Sequence, residues 1–323
     1  MRPGNRKGGH LLNTASADPS SSVRLESDGA KPGRLFLGCP VQASAAWVGS
    51  LFSSRDRSRW LREYSQVFNT VEGNSTFYGL PVLDTVRRWA AETADGFRFC
   101  LKWPKAVSHD FPLGDQPVVT RQFLDILSVL HEANRLGPSF LQLGPAFSGR
   151  QFDRLVAFLK TLPREFPQAV EVRHADWFDR CEKECAIDDA LRELHVDRVL
   201  FDSRALFSRP PSDEAEVVSQ QRKPRSPHRV TVTGRRPFLR FIGRNAVSDI
   251  DPWIEEWAPV VAGWLKNGLD SYVFTHTPDD AFAPEFARRF HERLRPLVPG
   301  LSALPPGAGK QPSRPRQLNL FGD

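Results

Sequence analysis

The 323-residue chain has no apolar run approaching the ~20 residues needed to cross a bilayer. Its opening stretch, MRPGNRKGGHLLNTASADPSSS, carries basic groups but lacks the apolar segment of ~7–15 residues on which a signal peptide depends. A soluble, cytoplasmic protein is expected. Cysteine is scarce: Cys39, Cys100, Cys181 and Cys185, with no pair at zinc-ribbon spacing. Cys181 and Cys185 lie four apart in a helical pattern and read as reduced thiols rather than a metal pair or redox switch. No metal and no cofactor are expected. A basic core is lacking as well. The formal net charge is +6, but residues 1–33 hold five basic and three acidic groups, residues 208–236 seven and three, and residues 300–323 three and one. The remainder is slightly acidic. A basic folded face for nucleic acid is therefore not expected, although basic flexible segments can still touch phosphates.

Those three basic segments also look disordered. The first is rich in Gly, Ser and Pro, the second is polar and broken by proline, and the third offers too little apolar area to offset its ordering entropy. What remains, within residues 34–299, has the length typical of an eight-stranded α/β barrel. Short apolar runs begin at RLFLGC (34–39), NTVEGN (69–74), FRFCLKW (97–103), SFLQLG (139–144), AVEVRH (169–174), DRVLFDS (197–203), FLRFIG (238–243) and SYVFTH (271–276). Amphipathic stretches such as RQFLDILSVLHEAN and FDRLVAFLKTLP separate them. Strands alternating with helices predict parallel pairing through crossovers, and a single closed (β/α)8 barrel of the TIM type is the economical fold. Its weak point is the sixth unit, where the insertion 208–236 occupies the place of a helix.

Strand alternation then assigns faces. The second strand sets Thr70, Glu72 and Asn74 on one side, the third Arg98, Cys100 and Lys102, the fourth Phe140 and Gln142. The fifth gives Glu171 and Arg173, the sixth Asp202 and Arg204, the seventh Arg240, the eighth Phe274 and His276. The polar groups fall late in their strands, at the end where barrels of this class carry their active sites. A barrel can be filled with Val, Ile and Leu at lower desolvation cost, so ten polar groups in one ring argue for function over structural plugging. The ring has more guanidinium and ammonium groups than carboxylates. That disfavours a divalent metal and suits an anionic ligand, with arginines as forks for phosphate or carboxylate. Glu72, Glu171 and Asp202 are then candidate acid–base groups, joined by His109 in the loop KAVSHDFP and by His174.

The motifs FNTVEGNSTFYGLP, FRFCLKWPKAVSHD, LGPSFLQLGPAF and EVRHADWF, in this order, resemble the YecE-like family, a domain of unknown function (number seventy-two). The resemblance spans roughly residues 34–299 and implies a TIM-barrel-like fold. It also implies that the family's recurring Glu and Asn are Glu72 and Asn74, its Tyr is Tyr78, its Lys is Lys102, its loop His is His109, its Glu-x-Arg is Glu171 and Arg173, and its Trp is Trp177. The chain departs from the family pattern at GCPVQASAAW after the first strand, at Ile242, where a histidine is usual, and at FTHTPDD after the eighth. The family has no established reaction.

The terminal QLNLF, residues 317–321, resembles the peptide by which bacterial proteins dock on the DNA polymerase sliding clamp. Leu320 and Phe321 would fill an apolar pocket, Leu318 would pack beside them, and Gln317 would hydrogen-bond at the rim. The expected function is thus an enzyme, a hydrolase or lyase, acting on an anionic substrate at a mouth where Asn74, Tyr78, Lys102, Gln142, Arg173, Arg240 and His276 bind it. The expected partners are the clamp and nucleic acid. The alternatives are a non-catalytic anion-binding or replication-associated module and a metal-dependent phosphodiesterase.

Overall fold

The computed structural model describes residues 31–309. Eight strands lie where the apolar runs place them, with ends shifted by at most three residues: β1 Leu35–Gly38, β2 Thr70–Gly73, β3 Arg98–Leu101, β4 Ser139–Gln142, β5 Gln168–Glu171, β6 Asp197–Asp202, β7 Phe238–Ile242 and β8 Ser271–His276. Every pairing between them is parallel. The regular ladders form a six-stranded sheet, β1-β8-β7-β6-β5-β4, and a separate β2-β3 pair. Helices return the chain between strands, as parallel pairing requires. The helices Pro117–Glu132, Phe152–Lys160 and Asp251–Lys266 coincide with the amphipathic stretches of the sequence.

The two sheets meet at seams where side chains and close backbone approach take over from the ladder. At the β1/β2 seam the Cys39 amide donates to the Tyr64 hydroxyl at 2.7 Å, which donates to the Thr70 carbonyl at 3.0 Å. Asn69 accepts from the Leu37 amide at 2.9 Å and donates to the Leu35 carbonyl at 2.7 Å. The Glu72 amide donates to the Cys39 carbonyl at 3.1 Å. Edge groups that a ladder would pair are satisfied in this way. Gly38 is needed there: a Cβ on it would fall 2.0 Å from the Thr70 carbonyl oxygen. At the β3/β4 seam the Gly137 amide reaches the Phe99 carbonyl at 2.9 Å and the Trp103 amide the Phe140 carbonyl at 3.1 Å.

Two apolar layers result. The larger packs the outer strand faces against the helices. The smaller comprises Phe36, Cys100, Phe140, Ala169, Val199, Phe238, Tyr272 and Phe274, drawn from seven strands and lying on their common inner face. Cys100, Phe140 and Phe274 are there as strand parity predicts.

The segment 208–236, expected to be a disordered insertion, is ordered instead and holds the helix Glu214–Arg222. Its charges are anchors. Glu216 is fully buried and accepts from Arg244 at 2.5 Å. Arg229 grips Glu184 with two hydrogen bonds, of 2.5 and 2.9 Å. The Thr233 hydroxyl bridges the Val196 carbonyl and the Arg198 amide, and the Arg236 amide donates to Asp197 at 2.8 Å. Composition counts charges without their partners, and here the partners lie in other elements. The tail boundary moves for a related reason: Ala308 donates to the Leu51 carbonyl and Arg288 to the Pro305 carbonyl, so residues up to 309 dock on the fold. The candidate clamp peptide, with Gln317, Leu318, Leu320 and Phe321, lies outside the described residues.

Breaking a buried pair from one side strands the other charge at a cost of about 3–5 kcal/mol. Glu216→Ala should therefore lower unfolding stability by about that amount in urea titrations, because Arg244 would be left uncompensated. A loss below about 1 kcal/mol would show that the segment is not anchored by this pair.

Candidate active site at the strand C-terminal ends

Above the apolar plug, the last inward positions of the strands carry charge. Arg240 of β7 sits at the centre, its guanidinium 5.3 Å from the Phe140 ring centroid and 5.5 Å from that of Phe201. Its Nε donates to Glu72 Oε2 at 2.8 Å and its NH2 to Glu72 Oε1 at 2.7 Å. Its NH1 donates to Glu171 Oε2 at 2.5 Å and, at 3.3 Å, to Gln142 Oε1. One arginine thus bridges two buried carboxylates from opposite parts of the ring. Arg173 closes the second side, donating from Nε to Glu171 Oε1 at 2.7 Å and from NH2 to Gln142 Oε1 at 2.9 Å. Asn74 donates to Glu72 Oε1 at 2.8 Å, and His276 Nε2 stands 3.1 Å from Glu72 Oε2.

Burial opposes the charge on both carboxylates, but the arginines outweigh it. Arg240 holds Glu72 well below the usual range, and Arg240 with Arg173 brings Glu171 down to about 2. The same carboxylates keep Arg240 protonated against burial. His276 is pushed down to about 4 by burial despite Glu72, so at neutral pH it serves as an uncharged Nε2–H donor. The charge that ionises Glu72 there is that of Arg240.

Lys102 behaves differently. Its ammonium nitrogen lies 3.9 Å from the Phe77 ring centroid, and among the described residues no carboxylate comes within ion-pair distance of it. Burial and then Arg240 pull its amine down to about 8, against Glu171 and Glu72. His109 packs edge-on against the same Phe77, with its Nδ1 held 2.8 Å from the Ser108 hydroxyl. Burial, then Lys102 and Arg173, lower its pKa.

Glu72, Asn74, Lys102, Gln142, Glu171, Arg173, Arg240 and His276 therefore converge, with His109 beside them. Tyr78 does not line the mouth: it is 84% exposed, its ring edge-on to Phe77. Asp202 is a correction. Val199 and Phe201 take the inward positions of β6, so Asp202 faces the helices. There it accepts from Trp257 Nε1 at 2.7 Å and from Arg204, which also reaches Glu256. Polar character was read as inward; here it marks an ion pair under a helix.

Two groups went unnoticed in the sequence. Lys223 belongs to the ordered segment, is half-buried, and has its amine pulled to about 8 by desolvation against the attraction of Asp280. Asp280, in the loop after β8, is raised to about 6 by burial against Lys223. The Ser203 hydroxyl, directly after β6, donates to the Pro224 carbonyl at 2.7 Å, which sets Lys223 at the C-terminal ends of the strands, and Asp280 follows β8 at the same end. Asp280 also adopts a left-handed backbone, φ 60°, and its carbonyl accepts from Trp47 Nε1 at 3.0 Å. Among the described residues, no three His, Cys, Asp or Glu side chains are grouped so as to hold a metal ion, and no helix is long and apolar enough to cross a membrane.

Parallel strands with a filled interior and a charged layer at their C-terminal ends define an α/β barrel-like protein with its candidate site at the mouth. Comparison with known proteins makes this specific. The family model described as protein of unknown function DUF72 matches residues 36–309, and the chain belongs to that family. It is 36% identical over 287 residues to the UPF0759 protein YecE of Escherichia coli, covering 89% of this chain and all of that one. In fold it is similar to crystal structures of a DUF72 family protein from Enterococcus faecalis (TM-score 0.64, 18% identity, 86% of this chain and 99% of that chain) and of one from Thermotoga maritima (TM-score 0.61, 22% identity, 81% and 99%).

A depressed carboxyl pKa stabilises the fold above the unfolded-state value and ceases to do so as pH falls through the folded value. For Glu171 that window runs from about 4.5 down to about 2, and Glu72, held low by Arg240, likewise loses its contribution only well below its unfolded value. The wild type should lose stability on acidification from about pH 6 to about pH 3, and Glu171→Gln should lose less over the same interval while being less stable at neutral pH. Parallel stability–pH curves in denaturant titrations would show that Glu171 is not held ionised by Arg240 and Arg173.

Proposed function

We propose that the two sheets close into one (β/α)8-type barrel and that its mouth is the active site of an enzyme acting on a small anionic substrate. The observation that carries this reading is the difference between the arginines and the lysines. Arg240 is spent on Glu72 and Glu171. Lys102 has no carboxylate partner among the described residues, and the outer edge of Arg173 keeps its NH1 without one. The mouth thus holds cations in excess of its fixed anions, in a site whose low dielectric strengthens attraction for an incoming carboxylate or phosphate.

Acid–base duty falls on groups whose pKa values lie near neutrality. Glu72 and Glu171 are too acidic to exchange protons there, so in this reading they position Arg240 and Arg173 instead. Lys102, Lys223 and Asp280 are the candidates for proton transfer, with His109 as a neutral relay. Asn74 and His276 complete the orientation of Glu72, and Gln142 that of the two arginines. A non-catalytic anion-binding module would use the same cations but would have no need of amines and a carboxyl poised near neutrality.

A second reading concerns delivery. The QLNLF sequence supports a tail that docks on the bacterial sliding clamp, with Leu320 and Phe321 as its anchors. Nucleic acid or a repair intermediate would then be the substrate class at the mouth.

Inorganic phosphate and sulfate should raise the melting temperature of the wild type, since a ligand that binds only the native state must stabilise it. Arg173→Met should weaken that effect by about tenfold in apparent Kd, the loss of one charge-assisted contact. Absence of any anion-dependent shift would remove the anion-site reading. For the tail, the purified clamp should bind the full chain and fail to bind a chain ending at residue 316. Equal binding by both, or none by either, would remove the delivery reading.

A further inference from the structure

We propose that Lys102 is a nucleophile that forms an imine with the carbonyl carbon of an anionic oxo compound held at the mouth. This inference rests on the anion-site reading and names the substrate class for it. A lysine serving only to attract an anion is best kept charged, by hydration or by a carboxylate partner. Lys102 is neither well hydrated nor paired. It is 9% exposed, its nitrogen lies over the Phe77 ring, and two guanidiniums share its surroundings. Desolvation next to other cations is the arrangement that leaves an amine free to attack a carbonyl at neutral pH. The lowering of its pKa to about 8 agrees with that geometry.

The neighbours suit the chemistry. Arg173, with Nε and NH2 committed to Glu171 and Gln142, has NH1 left to fix the substrate's carboxylate or phosphate. The Lys102 nitrogen adds to the carbonyl carbon as the C–O π bond opens, and the resulting alkoxide takes a proton from solvent to become the carbinolamine hydroxyl. His109 touches the same Phe77 ring, and its Nε2 has no hydrogen-bond partner among the described residues. It takes a proton from the adding nitrogen and returns it to the carbinolamine hydroxyl. That hydroxyl departs as water, and the protonated imine remains. No oxidant or reductant is consumed. The positive imine is stabilised by Glu72 and Glu171, which stay ionised under Arg240.

The test is reductive trapping of the full-length protein. Glyoxylate, an anionic aldehyde, and acetaldehyde, an uncharged one, are each added with cyanoborohydride at about pH 7.5, and adducts are mapped by peptide mass spectrometry. At that pH an amine of pKa about 8 is neutral roughly a hundredfold more often than an ordinary lysine. Lys102 should therefore be labelled by glyoxylate at least about tenfold faster than the exposed Lys160 and Lys266. Lys102→Arg and Lys102→Met should lose the fast adduct while melting cooperatively, and Arg173→Met should slow glyoxylate more than acetaldehyde. Fast labelling of Lys102 by both aldehydes, equally and independently of Arg173, would keep the imine and discard the anion site. Labelling spread over surface lysines, with Lys102 no faster than Lys160, would overturn the imine proposal even if phosphate still raises the melting temperature.

Discussion

The site depends on Arg240 lying between Glu72 and Glu171. Three charges are removed from water on top of an apolar plug, and such burial is costly unless each charge is paired and its hydrogen bonds are met. The surrounding residues meet them. Asn74 and His276 complete Glu72, Arg173 completes Glu171, and Gln142 accepts from both arginines. Replacing the whole cluster with Val, Ile and Leu would fill the same space with less desolvation, so its presence calls for a reason beyond stability. One such reason is fixed electrostatics. A pair of permanently ionised carboxylates set by two arginines leaves the adjacent amines as the groups able to change state near neutral pH.

The ordered segment between β6 and β7 gives that layer a second side. It brings Lys223 to the mouth and is tied down by charged groups of three other elements, Glu184, Asp197 and Arg244. The loop after β8 adds Asp280. In a barrel-type fold, variation in the loops at the strand ends changes chemistry without disturbing the core. The departures of this chain from the family pattern, at Ile242 and in FTHTPDD, fall in this half of the ring. Ile242 is fully buried at the end of β7, beside His276 of β8 in register. The imidazole at this level of the ring comes from the neighbouring strand.

Much of this was legible in the sequence because strands buried on both faces leave a plain signal. All eight runs became strands, and alternation placed Glu72, Lys102, Gln142, Glu171, Arg240 and His276 on the inner face at the correct end. The resemblance to the family narrowed the fold further. Asp202 was misplaced because alternation gives two faces and only the neighbours decide which is inner; Val199 and Phe201 decide it for β6. The segment 208–236 was misread because its order comes from long-range ion pairs that no local window contains. Lys223 was missed with it. Asp280 could be seen only once its environment was known, since its unusual acidity follows from burial rather than from residue type.

The central claim is the division of labour between fixed carboxylates and titratable amines. It is tested most directly by carbon NMR of side-chain-labelled protein, with Glu72, Glu171 and Lys102 assigned by single substitution. Carboxyl signals of Glu72 and Glu171 that stay constant from about pH 4.5 to about pH 9, with the Lys102 signal titrating near 8, are the predicted result. A carboxyl signal that moves in that range, or a Lys102 signal that titrates at the ordinary value of about 10.4, would contradict it.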